Sequence, residues 1–168
     1  MKIPLLVLMY LLSNLPTAAN AANEASRPAP SCALNSIDKS QAINLEQFKG
    51  KVVYVDFWAS WCGPCVQSFP YMNRLDRDFK DSGLQIVAVN LDENPEEAQT
   101  FLHNSNPQFL VVTDSNGHCA KEFEVQTMPT TYLVDRQGMV RKVHHGFRQG
   151  EAKEFQSELE LLLKEQIN

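Results

Sequence analysis

Residues 55–65 read VDFWASWCGPC, and this stretch of sequence decides the fold. It begins inside a stretch at residues 51–58 whose β-branched and aromatic residues, VVYV at 52–55, are typical of a buried strand. It ends with Cys62 and Cys65, and apolar residues follow at three- and four-residue spacing: Val66, Phe69, Met72, Leu75 and Phe79. That spacing predicts an apolar stripe along a helix at residues 65–80. We therefore expect a buried strand, a short loop and a helix whose start carries both thiols.

The position of Cys62 at the start of that helix suits thiol–disulfide exchange. The reacting species is the thiolate, and an ordinary cysteine with a pKa near ~8.5 is mostly protonated at neutral pH. Free backbone N–H groups and the helix dipole favour an anion at a helix N-terminus. Cys62 is therefore predicted to attack a disulfide, and Cys65, one turn later, to resolve the mixed disulfide. Pro64 has no N–H to donate and has the φ angle that a first helical turn needs.

Other uses of a C-x-x-C pair fit this sequence poorly. A structural zinc site needs four ligands, but the chain has no second C-x-x-C, and its four histidines share no metal-ligand spacing. Covalent haem attachment needs histidine after the second cysteine, where this chain has Val66. A structural disulfide in so small a ring would be strained and easily reduced. We expect a redox-active dithiol with no metal site and no cofactor.

Strand and helix patterns alternate along the rest of the chain. Strands are predicted at residues 33–34, 42–45, 84–91, 109–113, 130–134 and 139–145, and further helices from residue 94, at 118–124 and from residue 151. Hydrophobic residues make up 43% of the 168 residues, which is enough for a single core. The order of elements predicts an α/β domain with a central mixed sheet flanked by helices.

The first 21 residues have the parts of a secretory signal peptide. They contain one basic residue, Lys2, an apolar run at residues 5–12, and Ala19-Asn20-Ala21 as a cleavage motif. The apolar run is shorter than the roughly 20 residues that cross a bilayer, although a retained anchor remains the alternative. Residues 22–31, which are rich in alanine, serine, proline and glutamate, are predicted to be a linker, and residues 32–168 the folded domain.

Export would place the domain in an oxidising compartment, where disulfides can form. The sequence has no Asn-x-Ser/Thr sequon and does not end in an ER-retention signal, so we favour a bacterial periplasm. The net charge of −5 offers no attraction to a phosphate backbone. We therefore expect no nucleic-acid partner.

Several motifs resemble thioredoxins. Residues 55–65 resemble the active-site strand and loop of that family, and Gly63-Pro64 is the dipeptide found in thioredoxin itself. Pro70 matches the proline that bends the thioredoxin active-site helix. Met128-Pro129-Thr130 resembles the loop with the cis-proline that faces the redox cysteines. The resemblance covers residues 30–163 and implies the thioredoxin fold.

The chain resembles more closely the exported TlpA/ResA-like branch of thiol–disulfide proteins. The marks of that branch are the signal peptide, the sequence LEQFKGK at residues 45–51, and a strand-helix insert at residues 92–114. This resemblance implies an N-terminal β extension and that insert. It is less specific for the direction in which electrons flow.

Asp56 lies on the predicted strand that is otherwise apolar. A buried carboxyl without a charged partner has a raised pKa and can exchange a proton near neutral pH. The resemblance to thioredoxin implies that Asp56 takes the proton of Cys65 during resolution. The alternative is an aspartate that faces solvent.

Client contacts are implied by the same resemblance. A cis bond before Pro129 would turn the backbone of Met128 toward a client, which pairs with it like a strand. Trp61, Gly63 and Pro64 would contact the client beside the thiols. The alternative for Pro129 is a trans proline in an ordinary loop.

Cys32 and Cys119 do not belong to the C-x-x-C motif. The family usually has apolar residues at these positions, so two small buried thiols are one alternative. We favour a structural disulfide on the side of the sheet away from Cys62, because export would allow it to form. Such a bridge could contribute about 4 kcal/mol through the unfolded state.

The sequence as a whole favours a periplasmic, monomeric reductase of disulfides in exported proteins. The resemblance implies that electrons come from a membrane thiol-transfer protein, and apocytochrome c is one candidate client. A disulfide oxidase or isomerase of the same fold is the first alternative, although Gly63-Pro64 favours the reducing type. A thiol peroxidase would lack the C-x-x-C pair. A non-catalytic binding or scaffold domain would not need both cysteines and the acid.

Overall fold

The computed structural model describes residues 27–38 and 40–165. The predicted signal peptide and the first part of the predicted linker lie outside the described residues. The strands are β1 (Leu34–Ser36), β2 (Ala42–Ile43), β3 (Val52–Trp58), β4 (Leu84–Asn90), β5 (Leu110–Thr113), β6 (Thr130–Val134) and β7 (Val140–His145). The α-helices are α1 (Gly63–Phe79), α2 (Pro95–Ser105), α3 (His118–Glu122) and α4 (Ala152–Lys164).

The strands form one mixed sheet in the order β2-β1-β5-β4-β3-β6-β7. Parallel pairing joins β3, β4 and β5, whereas β6 pairs antiparallel with β3 and β7 antiparallel with β6. Every residue of β3 is buried, as the apolar sequence of this strand predicts. The predicted fold class, a central mixed sheet flanked by helices, is confirmed.

The alternation of side chains along β3 divides the interior into two cores. Tyr54 and Trp58 point into one core, which is covered by α1, α2 and α4 and contains Cys62 and Cys65. The alternate residues Val53, Val55 and Phe57 point into the other, which is covered by the N-terminal segment and α3. Cys32 and Cys119 belong to this second core. The two cysteine pairs therefore lie on opposite faces of the sheet.

Capping residues and prolines lie in the helices where the sequence predicts. Asn94 caps α2 by accepting a hydrogen bond from the Glu96 amide, and Pro95 is its first residue. Pro70 lies inside α1, where it cannot donate a backbone hydrogen bond. None of the helices in residues 27–38 and 40–165 has the length and apolar composition that a membrane span requires.

The structure differs from the sequence prediction in the N-terminal extension. A strand was expected to continue through Leu45, but β2 ends at Ile43 and residues 45–48 form a 3-10 helix. Asn44 explains the change, because its side chain accepts from the Glu46 amide while the Gln47 side chain accepts from the Asn44 amide. This reciprocal cap starts a helical turn immediately after β2.

The last residues of the predicted linker lie against the sheet. Pro28 forms an antiparallel bridge with Met139, at the start of the edge strand β7. The Ala29 amide donates to the Gly138 carbonyl at 2.8 Å, and the Val140 amide donates to the Arg27 carbonyl at 2.8 Å. Contacts with the folded domain therefore begin before Cys32.

Candidate active site

The loop after β3 delivers Cys62 to the N-terminus of α1. Cys62 is the N-cap residue, and its Sγ accepts a hydrogen bond from the Cys65 amide at 3.3 Å. Cys62 and Cys65 form a disulfide with their Cα atoms 5.3 Å apart, so the structure holds the oxidised state. Cys62 is 5% exposed and Cys65 is fully buried. An incoming disulfide can therefore reach Cys62 before it can reach Cys65.

The surface around Cys62 is apolar and open to solvent. Trp61 is 69% exposed, and Gly63 and Pro64 are also exposed. Val66 is 52% exposed, so the prediction that it belongs to the buried stripe of α1 is wrong. Val66 lies four residues after Cys62, which is the more exposed cysteine of the pair. The two residues are therefore on the same side of the helix.

The loop with Pro129 lies at the same end of the sheet as the redox pair. Thr130, the first residue of β6, pairs with Phe57 near the end of β3, which leads into the Cys62 loop. The Met128-Pro129 peptide bond is cis, as the resemblance implies. Met128 is half-buried against the core that contains both redox cysteines, and the Pro129 carbonyl accepts from the Gly146 amide at 2.7 Å.

Asp56 is fully buried in the middle of β3. It lies between Ala88 of β4 and Thr131 of β6, and the Thr131 hydroxyl donates to Asp56 Oδ1 at 2.6 Å. Asp56 Oδ2 has no hydrogen-bond partner among the described residues. Burial raises the pKa of Asp56 to about 7, and the hydrogen bond from Thr131 opposes this rise. The alternative of a solvent-facing aspartate is therefore wrong.

Asp56 shares a face of the sheet with the redox cysteines. Its side chain points to the same side of β3 as Tyr54 and Trp58, two residues before and after it. That side is covered by α1, whose first turn carries Cys65. The acid is thus placed under the helix of the redox pair, as its proposed role in proton transfer requires.

A second buried acid near Cys62 was missed by the sequence analysis. Asp92 is 2% exposed and accepts hydrogen bonds from the amide and the hydroxyl of Ser60, in the loop before Cys62. Asn90 donates to the same carboxyl group at 2.8 Å. Ser60 and Asp92 are 32 residues apart, and nothing in the local sequence pairs them.

The remaining two cysteines lie away from this site. Cys32 and Cys119 form a disulfide in the structure, with their Cα atoms 5.4 Å apart. Cys32 is 3% exposed and Cys119 is fully buried. Within the part of the chain that the structure describes, no group of three or more His, Cys, Asp or Glu residues could hold a metal ion.

Exchange between a dithiol and a disulfide is the chemistry that this geometry permits. The chain folds as a thioredoxin-like domain, and its redox pair defines the class of thiol–disulfide oxidoreductases. It matches the Redoxin family over residues 24–159 and belongs to that family. The prediction of a TlpA/ResA-like oxidoreductase with the thioredoxin fold is confirmed at the level of family and enzyme class.

Two relatives and two solved structures show the extent of the similarity. The thiol-disulfide oxidoreductase ResA of Bacillus subtilis is 34% identical over 137 residues, which is 82% of this chain and 76% of the relative. ResA of Bacillus thuringiensis is 34% identical over 117 residues, 70% of this chain and 67% of the relative. A Chlorobium tepidum protein assigned as the thiol:disulfide interchange protein DsbE is 40% identical with a TM-score of 0.80, covering 83% of this chain and 97% of that one.

The second structure supports the fold alone. It is a Bacteroides thetaiotaomicron protein assigned as a protein disulfide isomerase, 22% identical with a TM-score of 0.76. It covers 83% of this chain and 90% of that one. The alternative of a non-catalytic binding or scaffold domain is not supported, because the relatives are named as oxidoreductases.

Asp56 should make the stability of the protein depend on pH. Its pKa is about 7 in the folded state and 3.8 as the ordinary value, so the folded state holds a proton that the unfolded state has lost between these two pH values. Stability should therefore fall as pH rises through this window. Asp56→Asn should remove the fall and raise the free energy of unfolding above pH 7 by up to about 4 kcal/mol.

Urea unfolding of the oxidised protein from pH 4 to 8.5 measures this difference. Thr131→Val provides a matched variant, because losing its hydrogen bond should raise the pKa of Asp56 further and extend the upper end of the window to higher pH. Parallel pH profiles for wild type and Asp56→Asn would contradict the assignment.

Proposed function

We propose that this protein reduces disulfides of exported proteins in a bacterial periplasm. Cys62 is the attacking thiol and Cys65 the resolving thiol. The observation that carries the proposal is the position of Cys62 at the N-cap of α1, slightly exposed, with Cys65 fully buried behind it. The relatives named ResA support the reaction class.

The reaction is a two-electron transfer in two exchange steps. The Cys62 thiolate attacks one sulfur of a client disulfide, and the other client sulfur leaves as a thiolate. Asp56 then accepts the proton of Cys65, which attacks Cys62 and releases the second client thiol. The dithiol is oxidised to the Cys62–Cys65 disulfide and the client disulfide is reduced. No cofactor takes part, and a membrane thiol-transfer protein returns the two electrons.

The client lies over the apolar surface around Cys62. Trp61, Gly63 and Pro64 are exposed there and carry no charge. The backbone of Met128, before the cis peptide bond, pairs with an extended client segment. Recognition through backbone pairing and apolar contact accepts clients of different sequence.

The environment of Cys62 favours the reducing direction. Strong oxidants of this class have a reduced form that is unusually well stabilised. Here, among the described residues, Cys62 Sγ accepts a hydrogen bond from one backbone amide, that of Cys65. Gly63 and Pro64 add no side-chain donor or charge.

The reduction potential of the Cys62–Cys65 couple tests this direction. It should lie closer to the roughly −270 mV of thioredoxin than to the roughly −120 mV of a strong oxidant. Equilibration with dithiothreitol and glutathione buffers, followed by alkylation and mass measurement, gives the value. A potential near −120 mV would replace the reductase with the oxidase alternative.

The roles of the two thiols are separated by trapping. Cys65→Ser should still attack but cannot resolve, so mixed disulfides with the client should accumulate on Cys62. Cys62→Ser should trap nothing and lose turnover. A peptide with an oxidised C-x-x-C-H motif serves as a client of the apocytochrome c type, and a peptide with an unrelated disulfide is its control. Accumulation on Cys65 in the Cys62→Ser variant would reverse the assignment.

The proton-transfer role of Asp56 predicts a selective kinetic defect. Asp56→Asn keeps the size of the side chain but cannot accept a proton, so resolution by Cys65 should slow near pH 7 at least tenfold. The first attack by Cys62 should change less. Stopped-flow tryptophan fluorescence with a client peptide resolves the two steps. Equal rates of resolution in both proteins across pH 6 to 9 would limit Asp56 to a structural role.

The Cys32–Cys119 pair is proposed as a structural disulfide, formed after export. It joins the N-terminal segment to α3, across 87 residues of sequence, in the core opposite the redox pair. Arg27 supports the same junction by donating to the Phe123 carbonyl at 3.0 Å. Closing so long a loop stabilises the folded state mainly by restricting the unfolded chain.

This bridge should resist reduction when the redox pair does not. Mild dithiothreitol should expose two thiols per chain, on Cys62 and Cys65, and denaturant with reductant should expose four. Cys32→Ala combined with Cys119→Ala should lower the free energy of unfolding by about 4 kcal/mol and leave the potential of the redox pair unchanged. Four thiols under mild reduction would contradict a structural role.

A further inference from the structure

The ends of two neighbouring strands bring Asp92 to the loop before Cys62. β3 and β4 are parallel, and their last residues, Trp58 and Asn90, pair with each other. Ser60 follows Trp58 by two residues and Asp92 follows Asn90 by two residues, so both lie at the same edge of the sheet. The Leu91 amide also donates to the Trp58 carbonyl at 2.9 Å, which holds the two loops together at their start.

The Asp92 carboxyl group is held by three donors. The Ser60 amide lies 3.1 Å from both carboxyl oxygens, and the Ser60 hydroxyl lies 3.1 Å from Oδ1. Asn90 Nδ2 donates to Oδ2 at 2.8 Å, while Asn90 Oδ1 accepts from the Asp92 amide at 3.2 Å. The carboxyl group acts only as an acceptor in these bonds, which is the role of its ionised form. Asp92 thus places a carboxylate with three donors in a site that is 2% exposed.

These contacts fix the loop that carries the attacking thiol. Cys62 follows Ser60 by two residues, and its amide donates to the Ala59 carbonyl at 3.1 Å. The short turn from Ala59 to Cys62 is therefore closed by its own backbone and anchored at Ser60 by Asp92. The position of Cys62 against the first turn of α1 depends on this anchor.

The charge of Asp92 also acts on the chemistry of Cys62. The N-terminus of α1 favours a thiolate, whereas a nearby buried negative charge disfavours it. A less stabilised thiolate is a stronger nucleophile, and it makes the dithiol a stronger reductant. The two effects oppose each other at the same sulfur.

We propose that Asp92 is a positioning residue for Cys62, which anchors its loop through Ser60 and whose charge keeps the Cys62–Cys65 couple reducing. This inference rests on the proposed role of Cys62 as the attacking thiol. Asp92 touches neither the client nor the reacting sulfurs. It acts on Cys62 by holding the loop and by the electrostatic effect of its carboxylate.

Asp92→Asn tests the charge and Ser60→Ala tests the anchor. In the Cys65→Ser background, where Cys62 is the redox thiol that remains, Asp92→Asn should move the pH profile of iodoacetamide labelling about one pH unit lower. With both cysteines present, it should shift the equilibrium with glutathione about tenfold toward the dithiol. Ser60→Ala keeps the charge, so it should leave the pH profile in place and slow the attack of Cys62 on a client peptide several-fold.

Asp114→Asn is the matched control for the loss of a buried carboxylate. Asp114 is 4% exposed and accepts from the Ala120 amide at 2.8 Å, but it follows β5, one strand further from the Cys62 loop. It should lower stability without moving the labelling profile of Cys62. If Asp92→Asn behaves in the same way, Asp92 is only structural and the proposal is overturned.

A measurement on the wild-type protein covers the case in which Asp92→Asn does not fold. The carboxyl carbon resonance of Asp92 should move at the pH where Cys62 ionises in the reduced protein, and should stay constant there in the oxidised protein. A constant resonance in both states overturns the proposal. Peptide mapping of the labelled wild type distinguishes a failure of the Asp92 proposal from a failure of the proposed function. Labelling of Cys65 in place of Cys62 would contradict the proposed function itself.

Discussion

The whole site depends on the burial of β3 on both of its faces. Because β4 and β6 pair with it along its length, the residues that follow or precede these strands are brought to one end of the sheet. The Cys62 loop follows β3, Asp92 follows β4, and Pro129 precedes β6. A one-residue change of register in either pairing would carry Asp92 or Pro129 away from the thiols and turn buried side chains to the wrong face.

Two buried aspartates near the redox pair differ in what surrounds them. Asp56 accepts a hydrogen bond from Thr131, and its other oxygen has no partner among the described residues; burial raises its pKa to about 7, so it can gain or lose a proton. Three donors are directed at the carboxyl oxygens of Asp92. The same residue type is therefore proposed as a proton carrier in one strand and as an anchor for a loop beside the next.

The sequence predicts the parts of this site that are close together along the chain. The strand at 52–58, the C-x-x-C pair and the capped helix follow from spacing and residue type, because these are decided within a few residues. Asp56 could be found in the same way, as a lone acid in an apolar strand. Asp92 could not, because its partner Ser60 is fixed only by the pairing of β3 with β4.

Other departures have local causes that a hydrophobic pattern does not contain. Val66 fits the apolar period of α1, but the first turn of the helix lies at the open end of the sheet, where no element among the described residues covers it. The strand predicted at residues 42–45 ends at Ile43, because the reciprocal cap of Asn44 and Gln47 starts a helical turn. Both departures lie at the end of an element, where the hydrophobic period no longer predicts burial or secondary structure.

The bridge between Pro28 and Met139 has a consequence for solubility. Strand β7 is the outer strand of the sheet, and the unpaired backbone of such a strand can recruit a second chain and start aggregation. Residues 27–29 cover the start of this edge, and Pro28 has no amide hydrogen to offer a further strand. A protein whose proposed clients are extended chains meets many segments that could add to an open edge. Covering the start of β7 leaves less of this edge open to such segments and to a second copy of the chain.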